Sequence, residues 1–148
     1  MLKSIYRRAD DSFLMIRSWM PTRILIADDD DGLRHLMQLV LRREGFEVIE
    51  AANGHEALAR AYDSNPTLIL LDGMMPDLDG FDVCRHLRGD QRTAHLPIVF
   101  VSAMDDVRQR TESLHLEIDD YIRKPVGPRE LVDRVRHVME KRGLAPVA

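Results

Sequence analysis

Residues 68–80 have the sequence LILLDGMMPDLDG, in which a short apolar segment runs directly into a carboxylate. The four apolar residues before Asp72 are typical of a strand that is buried on both faces, as in a parallel sheet. Two methionines, a proline and an Asp-Gly pair follow, which indicates that the chain turns there. A carboxylate at the exit of a buried strand is costly unless it has a partner. The stretch therefore predicts a buried parallel strand and marks Asp72 as a candidate functional residue.

Short apolar segments alternate with helical patterns on both sides of this stretch. Strands are predicted at residues 23–27, 47–51, 67–71, 97–101 and 121–123. Helices are predicted at residues 32–44, 54–64, 81–88, 107–115 and 128–142. Strands that alternate with helices imply a parallel sheet, and right-handed crossovers favour the flavodoxin-like strand order. We predict an α/β fold with a five-stranded parallel sheet in the order 2-1-3-4-5 and helices on both faces.

The helical periodicity also predicts which side chains face the sheet. In the first three helices these are Leu33, Leu36, Met37, Val40, Leu41, Ala57, Leu58, Ala61 and Cys84.

Composition restricts the class of protein. The chain has 148 residues, 45% hydrophobic and 31% charged, which suits a single soluble domain. A formal net charge of −4 gives no electrostatic case for nucleic-acid binding. No apolar run approaches the roughly 20 residues that span a bilayer, so no membrane partner is expected. The single cysteine excludes an internal disulfide and is typical of the reducing cytoplasm, where we expect the protein.

The first 21 residues differ from the rest of the chain. They carry four basic and two acidic residues, and Arg17 interrupts an apolar run that is too short for a signal peptide. We predict a flexible extension at residues 1–21. A short amphipathic docking helix, or an upstream extension with Met20 as the true start, are the alternatives. Residues 22–142 form the predicted domain, and residues 143–148 form a tail too short for an output domain.

Polar side chains follow four of the predicted strands. They are Asp28 and Asp29 after the first strand, Asp72 after the third, Ser102 after the fourth and Lys124 after the fifth. In the predicted order these strand ends share one edge of the sheet. Neighbouring carboxylates repel one another, and a hard divalent cation such as Mg²⁺ relieves that repulsion. With a lysine and a hydroxyl beside them, the acids predict a site where Asp72 takes up a phosphoryl group.

Several other polar residues have structural explanations. We expect Asp30 and Asp31 to stabilise the N-terminus of the first helix, because acidic side chains there accept backbone N–H groups and match the helix dipole. Asp79 and Gly80 are interpreted as turn chemistry only. The six histidines show no metal-ligand spacing.

Four segments, ILIADDDDGLR, LILLDGMMPDLDG, IVFVSA and DDYIRKP, resemble the marked segments of the two-component response-regulator receiver domain. The resemblance covers roughly residues 22–142, with the segments in the same order and spacing. It implies that Asp72 is the phosphoacceptor, that Asp29 binds Mg²⁺ directly and that Asp28 binds it through water. It also implies that Met74 offers its backbone carbonyl to the metal and that Lys124 contacts the phosphoryl group.

The resemblance further implies a conformational switch. Ser102 is the switch hydroxyl, and Tyr121 occupies the aromatic switch position. The responding face would contain the fourth helix, the fifth strand and the fifth helix, over residues 107–115, 119–123 and 131–139. Pro76 and Gly80 would shape the loop after the acceptor, and the family usually has a cis peptide at the position of Lys124–Pro125.

The same resemblance implies partners. A sensor histidine kinase or a histidine phosphotransfer protein would donate the phosphoryl group, and a downstream effector protein would bind the switch face. A phosphorylation-dependent homodimer is compatible with it. The protein would not be an enzyme in the usual sense, since it would catalyse only its own phosphoryl transfer and slow autodephosphorylation. A phosphorylation-independent binding module, and a receiver fragment of a longer regulator with an output domain, remain alternatives.

Two other classes fit the residues poorly. A phosphatase of the haloacid-dehalogenase kind needs a second aspartate where Met74 stands, and a flavin-binding protein would not carry acids after its first strand.

The sequence departs from the family pattern at several positions. Ser replaces the more frequent Thr at Ser102, Glu117 and Ile118 replace Gly-Ala, and Val126 replaces Phe. In addition, Met74 and Met104 occupy the two variable positions that flank the phosphoryl group. Because apolar side chains there hinder an attacking water, we predict that the phosphorylated state hydrolyses slowly.

Overall fold

The computed structural model describes residues 22–144 as a five-stranded parallel sheet between two layers of helices. The strands are β1 (Arg23–Ala27), β2 (Glu47–Ala51), β3 (Leu68–Leu71), β4 (Ile98–Ser102) and β5 (Asp120–Arg123). The helices are α1 (Asp31–Arg43), α2 (Gly54–Ser64), α3 (Gly80–Gly89), α4 (Val107–Ser113) and α5 (Pro128–Lys141). The strand order is β2-β1-β3-β4-β5, which confirms the predicted flavodoxin-like fold. Residues 1–21 and 145–148, which include the predicted extension and most of the predicted tail, lie outside the described part.

The register of the sheet brings the strand ends to one edge. β1 and β3 pair in parallel and end opposite each other, so Asp28 and Asp72 follow on adjacent strands. β4 and β5 end opposite each other at Ser102 and Arg123, which places Lys124 directly beyond the sheet. Residues from four segments of the chain therefore meet at this edge.

The sheet separates two hydrophobic clusters, and alternate strand residues enter opposite ones. Ile24 and Ile26 pack with α1 and α5, whereas Leu25 and Ala27 pack with α2 and α3. Each large aliphatic side chain buried in this way stabilises the fold by about 1.5–3 kcal/mol. Five of the predicted inward residues of the first three helices are fully buried: Met37, Leu41, Ala57, Ala61 and Cys84.

One inward prediction in α1 is wrong. Leu36 is 47% exposed, whereas Gln38 is buried. The buried stripe passes through Met37 and Leu41, and Leu36 lies about 100° around the helix from Met37. Gln38 is accommodated because its Nε2 lies 3.3 Å from Nδ1 of His35.

Two element boundaries differ from the predictions for local reasons. β4 extends one residue further than expected, so Ser102 is the last residue of the strand rather than the first residue after it. α4 ends at Ser113 instead of His115, because His115 adopts a left-handed conformation with φ of 55°. The backbone N–H of Leu116 then donates to the carbonyl of Thr111 and closes the helix end.

The acidic residues before α1 and α3 act as helix caps. The side chain of Asp30 accepts the backbone N–H of Leu33, as predicted. The side chain of Asp79 accepts the backbone N–H of Asp82 at 2.9 Å, so its interpretation as turn chemistry only is wrong. Asp79 is the N-cap of α3, a role worth about 1 kcal/mol. The cap fixes where α3 begins, directly after the loop that follows Asp72.

The loop between α4 and β5, where Glu117 and Ile118 depart from the family pattern, is held by Arg88 of α3. The Nε and Nη2 of Arg88 donate to the carbonyl of Glu117 at 3.0 and 2.8 Å. Its Nη1 donates to the carbonyls of Ala94 and Leu96. Ile118 packs against the cluster formed with α2 and α3. The altered turn is therefore fastened by one guanidinium.

Candidate functional site

Three carboxylates meet at the sheet edge. One oxygen from each of Asp28, Asp29 and Asp72 can be chosen so that all three lie within 4.8 Å of one another. Asp28 and Asp72 are 1% and 4% exposed, whereas Asp29 is open to solvent. Two buried acids beside an accessible one form a pocket that is negatively charged and can be entered from outside.

The ammonium group of Lys124 partly balances these acids. Its Nζ lies 2.9 Å from Oδ2 of Asp28 and 3.5 Å from Oδ2 of Asp72. Burial lowers the pKa of Lys124, but its contacts with Asp28 and Asp72 outweigh that effect and leave the pKa above its ordinary value. Lys124 is therefore charged at neutral pH and stands beside both buried acids. The peptide bond between Lys124 and Pro125 is cis.

Asp72 is difficult to ionise in this pocket. Burial first, and then the negative charge of Asp28, raise its pKa, which reaches about 6 when all influences are combined. The backbone N–H of Met74, which donates to Oδ1 of Asp72 at 3.1 Å, and the charge of Lys124 act in the opposite direction but do not cancel the increase. A carboxylate with a raised pKa in a pocket with named charged neighbours is a candidate reactive group.

The donor set fits a small, hard divalent cation. Mg²⁺ prefers carboxylate oxygens and retains several waters, so two or three acids on an accessible edge suffice. Within residues 22–144, the buried Oδ2 of Asp28 accepts no hydrogen bond of good geometry, although Nζ of Lys124 is near it. An additional cation would therefore satisfy an oxygen that the protein leaves incompletely paired.

Ser102 and Met104 lie beside the loop of residues 73–79 that follows Asp72, the acceptor loop, and Met74 is part of this loop. A Cβ placed on Gly73 would lie 3.3 Å from Oγ of Ser102 and 3.7 Å from Sδ of Met104. Oγ of Ser102 accepts the backbone N–H of Met104 at 3.2 Å. Met104 is half-buried against this loop, whereas the side chain of Met74 is 64% exposed. The hydroxyl and one thioether thus lie against Gly73, directly after the acceptor, and the other thioether is exposed to solvent two residues after Asp72.

Tyr121 lies next to a small cavity behind Ser102. Its hydroxyl is 2.6 Å from Oγ1 of Thr111, and the guanidinium of Arg108 lies 4.5 Å above its ring. The cavity has a volume of about 160 Å³, and both Ser102 and Tyr121 contribute to its wall. There is therefore space between these two side chains.

A comparison with models of known protein families identifies the family of this chain. Residues 24–136 match the model of the response regulator receiver domain, which is most of the chain. The chain belongs to the response regulator receiver family. The resemblance inferred from the four sequence segments is thereby confirmed.

Individual relatives agree with this assignment. The receiver is 41% identical over 120 residues to the transcriptional regulatory protein ResD of Bacillus subtilis, covering 81% of this chain and 49% of ResD. It is 40% identical over 126 residues to the alkaline phosphatase synthesis transcriptional regulatory protein PhoP of the same organism, covering 85% of this chain and 52% of PhoP. The chain thus spans about half the length of the curated relatives it matches.

Solved structures show the same architecture. The CheY-like response regulator receiver domain protein from Methanospirillum hungatei JF-1 superposes with a TM-score of 0.77 at 28% identity, covering 84% of this chain and 98% of that one. The chemotaxis response regulator CheY4 of Vibrio cholerae gives a TM-score of 0.74 at 26% identity, covering 80% and 99%. Among the helices of residues 22–144, none has the length and apolar composition needed to cross a membrane.

The receiver fold brings the predicted site residues to one edge but arranges some in ways that the sequence did not indicate. Asp28, Asp29, Asp72 and Lys124 form one cluster. The contact of Thr111 with Tyr121, and the position of Arg110 near the acceptor loop, were missed. Both residues lie on a seven-residue helix without a clear apolar pattern, so only the packing of α4 reveals them.

Proposed function

We propose that this receiver accepts a phosphoryl group on Asp72 from the phosphohistidine of a sensor kinase or phosphotransfer protein, with Mg²⁺ at the acidic edge. The proposal depends mainly on one observation, the convergence of Asp28, Asp29 and Asp72 with the ammonium of Lys124. This donor set provides a nucleophile, oxygen ligands for a hard cation and a cation for the transferred group.

In the proposed reaction, one oxygen of the Asp72 carboxylate attacks phosphorus in line. The new P–O bond forms as the P–N bond of phosphohistidine breaks, and the electron pair of that bond stays on the imidazole of the donor protein. Asp28, Asp29, the Asp72 carboxylate and the backbone carbonyl of Met74 would hold Mg²⁺. When bound, this cation supplies positive charge for the phosphoryl oxygens. Lys124 stands where it can stabilise the same oxygens.

The receiver would catalyse only this transfer and its own slow dephosphorylation, in which water attacks the acyl phosphate, inorganic phosphate leaves and the Asp72 carboxylate is restored. The relatives that it matches are transcriptional regulators of about twice the matched length, which supports a longer regulator with an output domain. A separate effector protein as the output partner is the other proposal. Kinase and receiver would meet in the cytoplasm. The intact set of acids, hydroxyl and lysine argues against a phosphorylation-independent binding module.

Phosphoryl uptake can be tested on the full chain with a small phosphodonor and with a phosphorylated kinase. With Mg²⁺ we expect the mass of the protein to increase by one phosphoryl group. Borohydride reduction of the acyl phosphate to a stable alcohol, followed by peptide mapping, should then place the modification in the peptide that contains Asp72. With EDTA we expect no gain. The absence of uptake with Mg²⁺, or modification mapped elsewhere, would refute the proposed function.

The lifetime of the phosphorylated state is the next expectation. Met104 lies against Gly73 and the exposed Met74 lies two residues after Asp72, and neither side chain offers a strong hydrogen-bonding group to orient an attacking water. We expect a lifetime of minutes or longer with Mg²⁺, measured by mass after removal of the donor. Met104→Asn should shorten it several-fold, because an amide can position water. A wild-type lifetime of seconds would contradict this prediction.

The switch is proposed to run through Ser102 and Tyr121. A phosphoryl group on Asp72 would attract the Ser102 hydroxyl. The side chain of Tyr121 would then break its hydrogen bond with Thr111 and move into the adjacent cavity. Hydrogen exchange in α4, β5 and α5 should therefore change on phosphorylation, whereas exchange in α2 should not. Thr111→Val removes the bond partner of Tyr121 and should move α4 toward the exchange rates of the phosphorylated state. Equal exchange in both states would rule out this switch.

A further inference from the structure

Arg110 of α4 lies on the side chains that cover the acceptor loop. Its guanidinium stands 4.2 Å above the ring of Phe81, and its Nη1 lies 4.0 Å from Sδ of Met104. Phe81 and Met104 are the same side chains that approach Gly73, each at 3.7 Å from the position of a Cβ there. Gly73 directly follows Asp72. One layer of side-chain atoms therefore separates this guanidinium from the acceptor loop.

The charge of Arg110 is not used by the fold. Within residues 22–144 it forms no ion pair, and its contacts are with an aromatic ring and a thioether. The side chain is exposed, and a cation–π contact at an exposed site is weak. The guanidinium can therefore leave these contacts at small cost.

Phosphorylation would add a negative charge that such a cation can balance. In the proposed function, the charges of Asp28, Asp29 and Asp72 are balanced by Lys124 together with a divalent cation. An aspartyl phosphate carries close to two negative charges where the carboxylate carried one. One negative charge then remains without a partner on residue 72, directly before Gly73, which Phe81 and Met104 approach. A guanidinium suits it, because its planar fork of N–H donors matches phosphoryl oxygens.

We propose that Arg110 is a phosphoryl ligand, whose guanidinium moves off Phe81 and Met104 and donates hydrogen bonds to a phosphoryl oxygen on Asp72. The inference rests on the proposed function, and it adds a contact from α4 to those supplied by Lys124 and Ser102. Because Arg110 belongs to the helix of the switch face, the same contact would bind α4 to the phosphorylated state.

Beryllium fluoride with Mg²⁺ is the probe, since it forms a stable analogue of an acyl phosphate on a carboxylate. Its affinity is measured by calorimetry on the full chain for the wild type, Arg110→Gln, Arg110→Lys and Arg85→Gln. Arg85 is the matched control, because it lies on α3, has a 60% exposed side chain and makes a long ion pair of 3.8 Å with Asp82. All glutamine variants lose the same unit of charge.

We expect Arg110→Gln to bind the analogue about tenfold more weakly, because this variant loses one charge-assisted hydrogen bond. Arg110→Lys should fall between it and the wild type, and Arg85→Gln should match the wild type. In the wild type, the NMR signal of the Arg110 Nε–H group should shift on addition of the analogue. Equal affinities of the wild type and Arg110→Gln, or equal weakening in Arg85→Gln, would overturn the Arg110 contact alone. A wild type that binds no analogue would instead refute the proposed function.

Discussion

The Asp72→Asn variant is expected to take up no phosphoryl group and, at pH 8 without metal, to be more stable than the wild type. An amide is not a nucleophile toward phosphorus, so uptake is lost completely. The amide oxygen can still accept the backbone N–H of Met74, and the buried charge beside Asp28 is gone. Function and stability therefore move in opposite directions, which a simple folding defect cannot produce.

The pH dependence of this stabilisation has a definite sign. The pKa of Asp72 rises from 3.8 to about 6 in the folded protein. Between these values the folded state retains a proton that the unfolded chain has lost, so the free energy of unfolding falls as the pH rises through this window. The Asn variant has no ionisable group at this position, so its free energy of unfolding does not fall for this reason. We expect it to be about 1–3 kcal/mol more stable at pH 8, and the difference to vanish near pH 4.

Urea unfolding at pH 8 and pH 4 in EDTA measures this difference, with Asp63→Asn as a control for an exposed acid on α2. Mg²⁺ provides the reciprocal test. At ten times its dissociation constant it should stabilise the wild type by about 1.4 kcal/mol, and the Asn variant much less. An Asn variant that is less stable than the wild type at pH 8 would show that the buried charge of Asp72 does not destabilise the folded protein.

The architecture was predictable because each strand is a short, uninterrupted apolar run. In a parallel sheet with helical crossovers, such runs leave few permitted topologies. The convergence of Asp28, Asp72 and Lys124 followed from that topology alone, since residues after parallel strands share an edge. The set of side chains that meet at the edge of the sheet could therefore be predicted from the sequence, although the distances between them could not.

The features that the sequence did not indicate depend on packing between helices and loops. Arg88 binds carbonyl groups of two loops, and backbone carbonyls carry no sequence signal. Leu36 follows the apolar period, yet it lies at the margin of the stripe and is exposed. Asp79 could have been recognised as an N-cap, since a helix begins at the next residue. Its Asp-Gly pair favoured a turn and obscured the cap.

The Gly80→Ala variant is expected to lose about 3 kcal/mol or more of stability. A Cβ at Gly80 would lie 2.2 Å from the carbonyl oxygen of Asp72 and 2.8 Å from Cα of Gly73. These atoms belong to the backbone, so no side-chain rotation relieves the overlap. The N–H of Gly80 also donates to the carbonyl of Gly73, which fixes the two segments together. Relief of the overlap requires either that α3 withdraws or that the acceptor loop moves.

Gly89→Ala is the matched control, since it makes the same substitution at the other end of α3. A Cβ there meets nothing within 4 Å, and alanine is the better helix former, with a gain at this last helical residue below the roughly 0.5–1 kcal/mol of a helix interior. Urea unfolding should therefore show opposite shifts for the two variants. Because the overlap at Gly80 acts on the carbonyl of Asp72 itself, any folded Gly80→Ala protein should also take up phosphoryl groups more slowly. Equal stability of the two variants would mean that α3 can slide away from the acceptor loop freely, and Gly80 would then have no part in positioning Asp72.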